Sequence, residues 1–370
     1  MYIYERKDWP NFKWDEKRIP ELLIPVRHRH GRLLGKMENL GFSLRSEAIL
    51  KSISLEVIKS SDIEGEILDS DQVRSSIARH LGMKVGGLVS SDRNVDGIVE
   101  LMLDAIQKYD EELSADRLFH WHSLLFPVRG KKKSKVNIGS WRTSALAPMQ
   151  VISGSIGREK VHFEAPKSKV VAGEMKAFLK WFNSELNIDP VLNAAIAHLW
   201  FVTVHPFVDG NGRIARAIAD MQLVRADGIS QRFYSMSAQI RLERKSYYNI
   251  LEKTQKGTLD ITEWLIWFIA CFDKTLSLSE TTLEIVITKS NYLKFLNDKS
   301  LNDRQRILIN KLLDGFEGKL NSSKWAKIAK CSQDTALRDI QVLLDEGVLE
   351  KEGAGGRSTS YRLKDLEADL

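Results

Sequence analysis

Hydrophobic positions recur with a helical period over most of this chain, and the places where that period fails divide it into parts. From about Ser43, the residues Ile49, Ile53, Val57 and Ile58 form a partial 3.6-residue stripe, which predicts a helix with one apolar face. The helix nears its end at Ser60-Ser-Asp-Ile-Glu64-Gly65, where Gly65 suits the C-terminal cap because glycine takes a positive φ without strain. Two more helices are expected at roughly 95–110 and 115–126. The first 40 or so residues are aromatic-rich and broken by Pro10, Pro20 and Pro25, which predicts an irregular segment packed on the main body through Trp9, Phe12 and Trp14.

The pattern changes over 129–166. Gly130-Lys-Lys-Lys133 reads as a solvated basic turn, and Val151-Ile-Ser-Gly-Ser-Ile-Gly157 followed by Lys160-Val-His-Phe163 predicts a short β-hairpin that Pro166 closes. Helical periodicity then resumes to about residue 290, with one clear start at Asp189-Pro190, where aspartate caps and proline fills the first helical position. Beyond Leu301, helical segments near 303–314, 322–329 and 333–346 lead into Gly347-Val-Leu-Glu, a Gly353–Gly356 turn and Ser360-Tyr-Arg-Leu363. Three helices and a glycine-tipped hairpin are the outline of a winged helix-turn-helix. The expected fold is therefore mainly α, with a β-hairpin and a C-terminal winged helix-turn-helix, divided as 1–90, 91–290 and 300–370.

Composition narrows the function classes. A chain of 370 residues has room for two or three domains, and 43% hydrophobic residues with 8 prolines excludes long disordered tracts. No stretch reaches the roughly 20 apolar residues of a membrane helix, and Met1–Trp9 carries charges where a secretory signal needs an apolar core, so no membrane partner is expected. Two cysteines, Cys271 and Cys331, make neither a disulfide framework nor a zinc site, which points to a reducing cytoplasm. The net charge of +6 is mild, compatible with anionic ligands such as nucleotides without calling for nucleic acid.

The chemistry concentrates after an apolar, helix-forming run that ends in His205-Pro-Phe207-Val-Asp209-Gly210-Asn211-Gly212-Arg213-Ile-Ala-Arg216. Pro206 stops the first helix and a second should start around Asn211 to Arg213. The glycines between can turn amides toward a ligand, and with the unpaired N–H groups of the new helix they form a phosphate site. Arg213 and Arg216, three residues apart, share a helix face and can grip two points of a polyphosphate. Asp209 is a hard oxygen ligand suited to Mg²⁺, Asn211 can bond a phosphate oxygen, and His205, with an ordinary pKa of about 6.5, can take a proton from an attacking hydroxyl. Any one of these residues has a bland structural explanation. No packing need brings all of them together, and the set describes a phosphoryl- or nucleotidyl-transfer site.

Residues 205–216 match every fixed position of the Fic motif His-Pro-Phe-x-Asp/Glu-Gly-Asn-Gly-Arg-x-x-Arg, and the chain resembles that family over about 95–275. The resemblance implies a Fic-type helical core and an enzyme that moves AMP from ATP to a Ser, Thr or Tyr hydroxyl of a protein, itself included. His205 would be the base and Asp209 the Mg²⁺ ligand; Asn211, Gly212 and Arg213 would hold the α- and β-phosphates, and Arg216 the γ-phosphate, with Phe207 and Gly210 completing the nucleotide loop. Ser60-x-x-x-Glu64-Gly65 resembles the family's inhibitory motif, in which Glu64 would pair with Arg216 and deny it to ATP. The 151–163 hairpin stands where the family has a flap that aligns the target peptide, and Tyr247 and Tyr248 lie where relatives surround adenine. His198, seven residues before His205, is expected to be structural. Tyr4-x-x-x-Asp8-Trp-Pro-Asn-Phe-x-Trp-Asp15 resembles the short domain that precedes a bacterial Fic subset ending in a winged helix, and a homodimer is compatible with that resemblance.

Two alternatives stay open. An enzyme of this kind could also remove AMP, with Glu64 positioning a water. A regulator that binds DNA and senses nucleotide is the other. Between Asp303 and Asp365 the tail has 12 Lys/Arg against 10 Asp/Glu, a net of +2, and its expected recognition helix carries Asp334 and Asp339. Lys324, Lys327, Lys330 and Arg357 would supply only a modest basic face for duplex DNA, so a protein-docking or dimerising role is the stronger expectation for the tail.

Overall fold

The computed structural model describes residues 1–83, 87–127, 137–143, 148–153, 159–184, 187–296, 299–313, 316, 318–352 and 359–365. The basic turn expected at 130–133, the hairpin tip at 154–157, the 353–356 turn and Arg357 lie outside them. The chain divides into two compact units, Met1–Glu280 and Thr281–Leu370. The first unit opens with a 3-10 turn at Ile3–Glu5, followed by α1 (Arg18–Glu38), α2 (Phe42–Ile63), α3 (Ser70–His80), α4 (Arg93–Gln107) and α5 (Ala115–Leu125). Two strands, β1 (Gln150–Ser153) and β2 (Lys160–Glu164), precede α6 (Ser168–Phe182), α7 (Pro190–Val204), α8 (Asn211–Asp227), α9 (Met236–Leu242) and α10 (Arg244–Gln255). The long helix α11 (Thr262–Leu296) is divided between the units at Glu280.

At the centre lies α7, in which every residue from Val191 to Val204 is buried. Its start is the expected one: the Asp189 side chain accepts from the Val191 amide and Pro190 fills the first turn. Next to it α8 is buried as far as Val224 except at Gly212, and ends on Gly228, whose φ of +69° only glycine adopts easily. The first 17 residues are the irregular aromatic segment expected, with Trp9 and Phe12 edge-on to Trp200 of α7.

The next 21 residues are not irregular. Pro20 and Pro25 sit inside α1, which corrects the sequence expectation. Pro20 occupies the first turn, where its missing N–H has no partner to lose. An interior proline such as Pro25 costs about 3 kcal/mol. Against that cost, Ile19, Leu23, Val26, Leu33 and Met37 form a buried stripe with His30, each apolar side chain contributing roughly 1.5–3 kcal/mol. Tertiary burial decides the matter. The sequence reading also passed over α3, capped by Asp69 through the Gln72 amide.

The second unit holds α12 (Asp303–Leu313), α13 (Ser322–Ala329), α14 (Gln333–Asp345) and the antiparallel strands β3 (Leu349–Glu352) and β4 (Ser360–Leu363), close to the segments expected. Leu308, Ile309, Trp325, Ile340 and Leu343 form its core. Asp339, one of the acidic residues noted on this helix, is buried in a bidentate pair with Arg304 (2.9 and 3.0 Å) and accepts from Asn302.

Candidate active site

The loop between α7 and α8 is built by its own backbone chemistry. His205 ends α7 in the left-handed region (φ 51°, ψ 58°), and Gly210 (φ 80°) turns the chain into α8. Asn211 closes the loop on itself: its Oδ1 accepts from the Phe207 amide and its Nδ2 donates to the Phe207 carbonyl, both at 2.9 Å. The Asn211 side chain, read from sequence as a phosphate ligand, is thus engaged in holding the loop, and what it offers an anion is its amide. The first intrahelical bond of α8 runs from the Ile214 amide to the Gly210 carbonyl (3.1 Å), so the amides of Asn211, Gly212 and Arg213 precede the hydrogen-bonded ladder. They form an anion nest at the positive end of the helix.

A carboxylate stands beside the nest. Glu64 Oε1 lies 2.9 Å from Arg216 Nη2, and a Cβ placed on Gly212 would collide with that same oxygen. Arg216 is 2% exposed and also donates to Ser60, through Nε to Oγ (2.9 Å) and Nη2 to the carbonyl (2.8 Å). A second pair, Glu66 Oε2 to Arg213 Nη1 at 2.6 Å, stands beside it. The turn after α2 sets both acids in place. Gly65, at φ +86°, lets its own amide bond the Asp62 carbonyl (3.1 Å) and the Glu66 amide bond the Ser61 carbonyl (3.0 Å), the two bonds of a Schellman cap. Upstream on α2, buried Glu56 accepts from Ser235 Oγ (2.8 Å) and the Ser237 amide (3.0 Å), which ties the helix to α9.

His205 Nδ1 lies 3.3 Å from the Val202 carbonyl, so Nδ1 carries the proton and Nε2 of the neutral ring is bare. Burial, with a contribution from Arg142, pulls its pKa down to about 4, so the ring is a neutral acceptor at physiological pH. Asp209 is exposed, and its Oδ1 accepts from the Gly210 amide (2.6 Å). Among the described residues no three His, Cys, Asp or Glu are grouped around a metal site. A lone exposed carboxylate beside an anion nest still suits Mg²⁺, which is commonly held by one or two carboxylates and substrate phosphates. Arg213 Nε and Arg216 Nη1, both buried, have no hydrogen-bond partner among the described residues, and phosphate oxygens would supply one.

A cavity of about 660 Å³ opens over the nest, bounded by His205, Gly212 and Glu64 on one side and Tyr247, Tyr248 and Leu251 on another. Tyr247 is buried and its hydroxyl is 2.8 Å from His198 Nε2, which explains His198 as a structural residue, its pKa drawn to about 3 by burial. Tyr248 is half-buried, with the Arg244 guanidinium 5.5 Å from its ring centre. The strands β1 and β2 bring Val151, Ile152 and Phe163 to the same cavity.

Three residues of the site went unread in the sequence. Arg142, buried, binds the loop from outside: its amide donates to the Pro206 carbonyl (2.9 Å), its Nε to the His205 carbonyl (2.8 Å), and its Nη2 to the Pro166 carbonyl. His122 stacks on Phe207, ring centres 4.2 Å apart and planes 6° from parallel, with burial pushing its pKa down to about 4. Glu66 is the third, and the only one with a local signal, since it follows the capping glycine directly.

A histidine base, an anion nest and paired arginines inside a helical fold define a nucleotidyl- or phosphoryl-transfer class of site. Residues 112–223 match the Fic/DOC family, so the chain carries a Fic/DOC domain; residues 2–83 match a domain of unknown function (DUF4172). The protein adenylyltransferases Fic of Drosophila melanogaster and Drosophila simulans are each 37% identical over 106 residues, 28% of this chain. The match spans only 20% of those relatives' own length. A Fic family protein from Desulfovibrio desulfuricans G20 shares the fold at a TM-score of 0.54 and 20% identity, covering 94% of this chain and 95% of that one. A Fic domain containing signaling protein from Bacteroides thetaiotaomicron shares it at 0.51 and 19%, over 70% and 96%.

Proposed function

We propose that this chain is a protein adenylyltransferase that transfers AMP from ATP to a Ser, Thr or Tyr hydroxyl of a protein, and that Glu64 holds it off. The observation that carries the reading is the Glu64 carboxylate against Gly212 at the start of α8, 2.9 Å from Arg216 and lining one cavity with His205. An acid against an anion site, paired to a buried arginine, occupies the place and the partner that a polyphosphate needs.

With Glu64 displaced, the amides of Gly212 and Arg213 and the guanidinium groups of Arg213 and Arg216 hold the phosphates. Asp209 would hold Mg²⁺, which would supply charge neutralisation at the phosphates. The target hydroxyl donates its proton to His205 Nε2, its oxygen bonds to the α-phosphorus, and the bond from that phosphorus to the pyrophosphate oxygen breaks. Pyrophosphate leaves with the electron pair. Tyr248, and Tyr247 behind it, wall the end of the cavity suited to the base. Exposed Ile152 and Val161 on β1 and β2 offer an apolar edge where an extended target segment can add as a strand.

The test is the intact mass of the Glu64→Gly chain after incubation with ATP and Mg²⁺, alone and with candidate target proteins. A gain of one AMP group on an added target protein, lost on His205→Ala, is expected. No gain on any protein, with nucleotide binding retained, sinks the reading.

A further inference from the structure

Away from the loop, a hydroxyl, an imidazole and a carboxylate stand in line across three elements. Ser153 Oγ, at the end of β1, is 2.6 Å from His162 Nε2 on β2, and His162 Nδ1 is 2.5 Å from Glu252 Oε2 on α10. A carboxylate only accepts, so Nδ1 carries the ring proton and donates it to Glu252. In the tautomer with the proton on Nδ1, Nε2 is bare and accepts from the Ser153 hydroxyl. Glu252 stays ionised, its pKa pulled down to about 2 by Lys256 and by His162 itself. The strand pairing explains how His162 comes to face Ser153. Val151 pairs with Phe163 and Ile152 with Val161, so His162 is the extra residue of a bulge, the distortion that re-aims a side chain.

Nucleophile, base and a carboxylate that orients the base is the arrangement by which hydroxyls are activated. A pin between β2 and α10 would need only the His162–Glu252 pair, whereas the exposed Ser153 could be satisfied by water. All three residues line the 660 Å³ cavity that His205 and Gly212 also line.

We propose that Ser153 is an AMP acceptor within this chain, its hydroxyl activated by His162 and Glu252; this rests on the adenylyltransferase reading above. In the step, the bond between Ser153 Oγ and the α-phosphorus forms and the bond from that phosphorus to pyrophosphate breaks. The hydroxyl proton passes to His162 Nε2, and Glu252 stabilises the resulting imidazolium. The product is an AMP ester of Ser153 inside the nucleotide cavity.

The experiment is mass mapping of peptides from the full-length Glu64→Gly chain after incubation with ATP and Mg²⁺, repeated with Glu64→Gln should the glycine variant fail to fold. AMP is expected on Ser153, absent in Ser153→Ala and retained in Ser153→Thr, which keeps the hydroxyl. His162→Gln should slow labelling of Ser153 by roughly 100-fold, the contribution of a positioned base. AMP found only on other residues overturns the proposal, as does Ser153 labelling at an unchanged rate in His162→Gln. AMP on no residue of this chain or of any added protein overturns it too, but through failure of the adenylyltransferase reading. AMP elsewhere on the chain tells the two failures apart.

Discussion

Two ion pairs stand side by side at the start of α8, built from the same residue types and differently anchored. Glu64 and Glu66 both leave the end of α2 with side chains 33% exposed, and their partners Arg216 and Arg213 lie one turn apart. Both arginines are buried, but Arg216 is bound twice more by Ser60, whereas Arg213 has the ring of Phe126 5.4 Å away. Identical chemistry therefore predicts unequal control. Removing Glu64 frees a rigidly held guanidinium and opens the nest; removing Glu66 frees an arginine at its margin.

The largest effect should come from Glu64→Gly. A hydrogen bond to a charged group is worth about 1.5–3 kcal/mol, so nucleotide affinity and AMP transfer should rise by roughly 10- to 100-fold. The unliganded chain should also lose stability, because Arg216 is left with less of its charge balanced, and ATP should restore it by mass action. Isothermal titration and thermal unfolding with and without ATP read both effects. An unchanged affinity would separate the Glu64 pair from the nucleotide altogether.

That variant also exposes the base. With His205 near pKa 4 rather than 6.5, about 90% of the rings are unprotonated at pH 5 against about 3% for an ordinary histidine, roughly a 30-fold difference in active base. The acid limb of kcat/KM in Glu64→Gly should therefore fall close to pH 4. The linked stability has a definite sign. Unfolded, His205, His122 and His198 take up protons near pH 6.5; folded, they do so only near 4, 4 and 3. Folding expels protons in that window, so this contribution to stability is complete above 6.5 and is lost as pH falls toward 4. A melting temperature that stays flat between pH 7 and 4.5 would contradict the burial of these rings.

How much of this was legible in sequence depends on how far apart the partners lie. His205 to Arg216 could be read because Pro206 and Gly210 fix the helix–loop–helix locally. Glu64 could be read only through a resemblance, since nothing near it names Arg216 as a partner. Arg142 could not be read at all: it acts on the His205 carbonyl 63 residues away, and neither neighbour of Arg142 hints at it. Asn211 shows a different limit. Its type was right for a polar loop, but whether an amide side chain faces a ligand or its own backbone is settled by loop closure. In α1 the prolines misled because local propensity was outweighed by a buried stripe that is only recognisable once its partner surface exists.

Gly212 links the two halves of the comparison. A Cβ there would meet Glu64 and come 3.3 Å from Arg216 Nη1, while no atom of Glu66 is among its nearest neighbours. Gly212→Ala should cost about 1–3 kcal/mol in the otherwise native chain. In the Glu64→Gly background the collision is gone, and alanine in a helix is about 1 kcal/mol better than glycine. Coupling of at least about 1 kcal/mol is therefore expected between positions 212 and 64 in thermal or urea unfolding, and none between 212 and 66. Additivity at 212 and 64 would mean that the carboxylate rests elsewhere in solution.

Glu66→Gln should give the smallest change and sharpen the contrast most. Arg213 lacks the Ser60 bonds that fix Arg216, and a less firmly held pair is worth about 0.2–1 kcal/mol, so AMP transfer should rise no more than about fivefold. Salt offers the complementary reading. Both arginines are buried and both glutamates are 33% exposed, so raising ionic strength should shrink the Glu66→Gln and Glu64→Gly increments in similar proportion. If the two variants instead activate equally, the Ser60 bonds that fix Arg216 are not what ranks them. Glu66 would then belong to the brake on the same footing as Glu64, with Arg213 as much its point of action as Arg216.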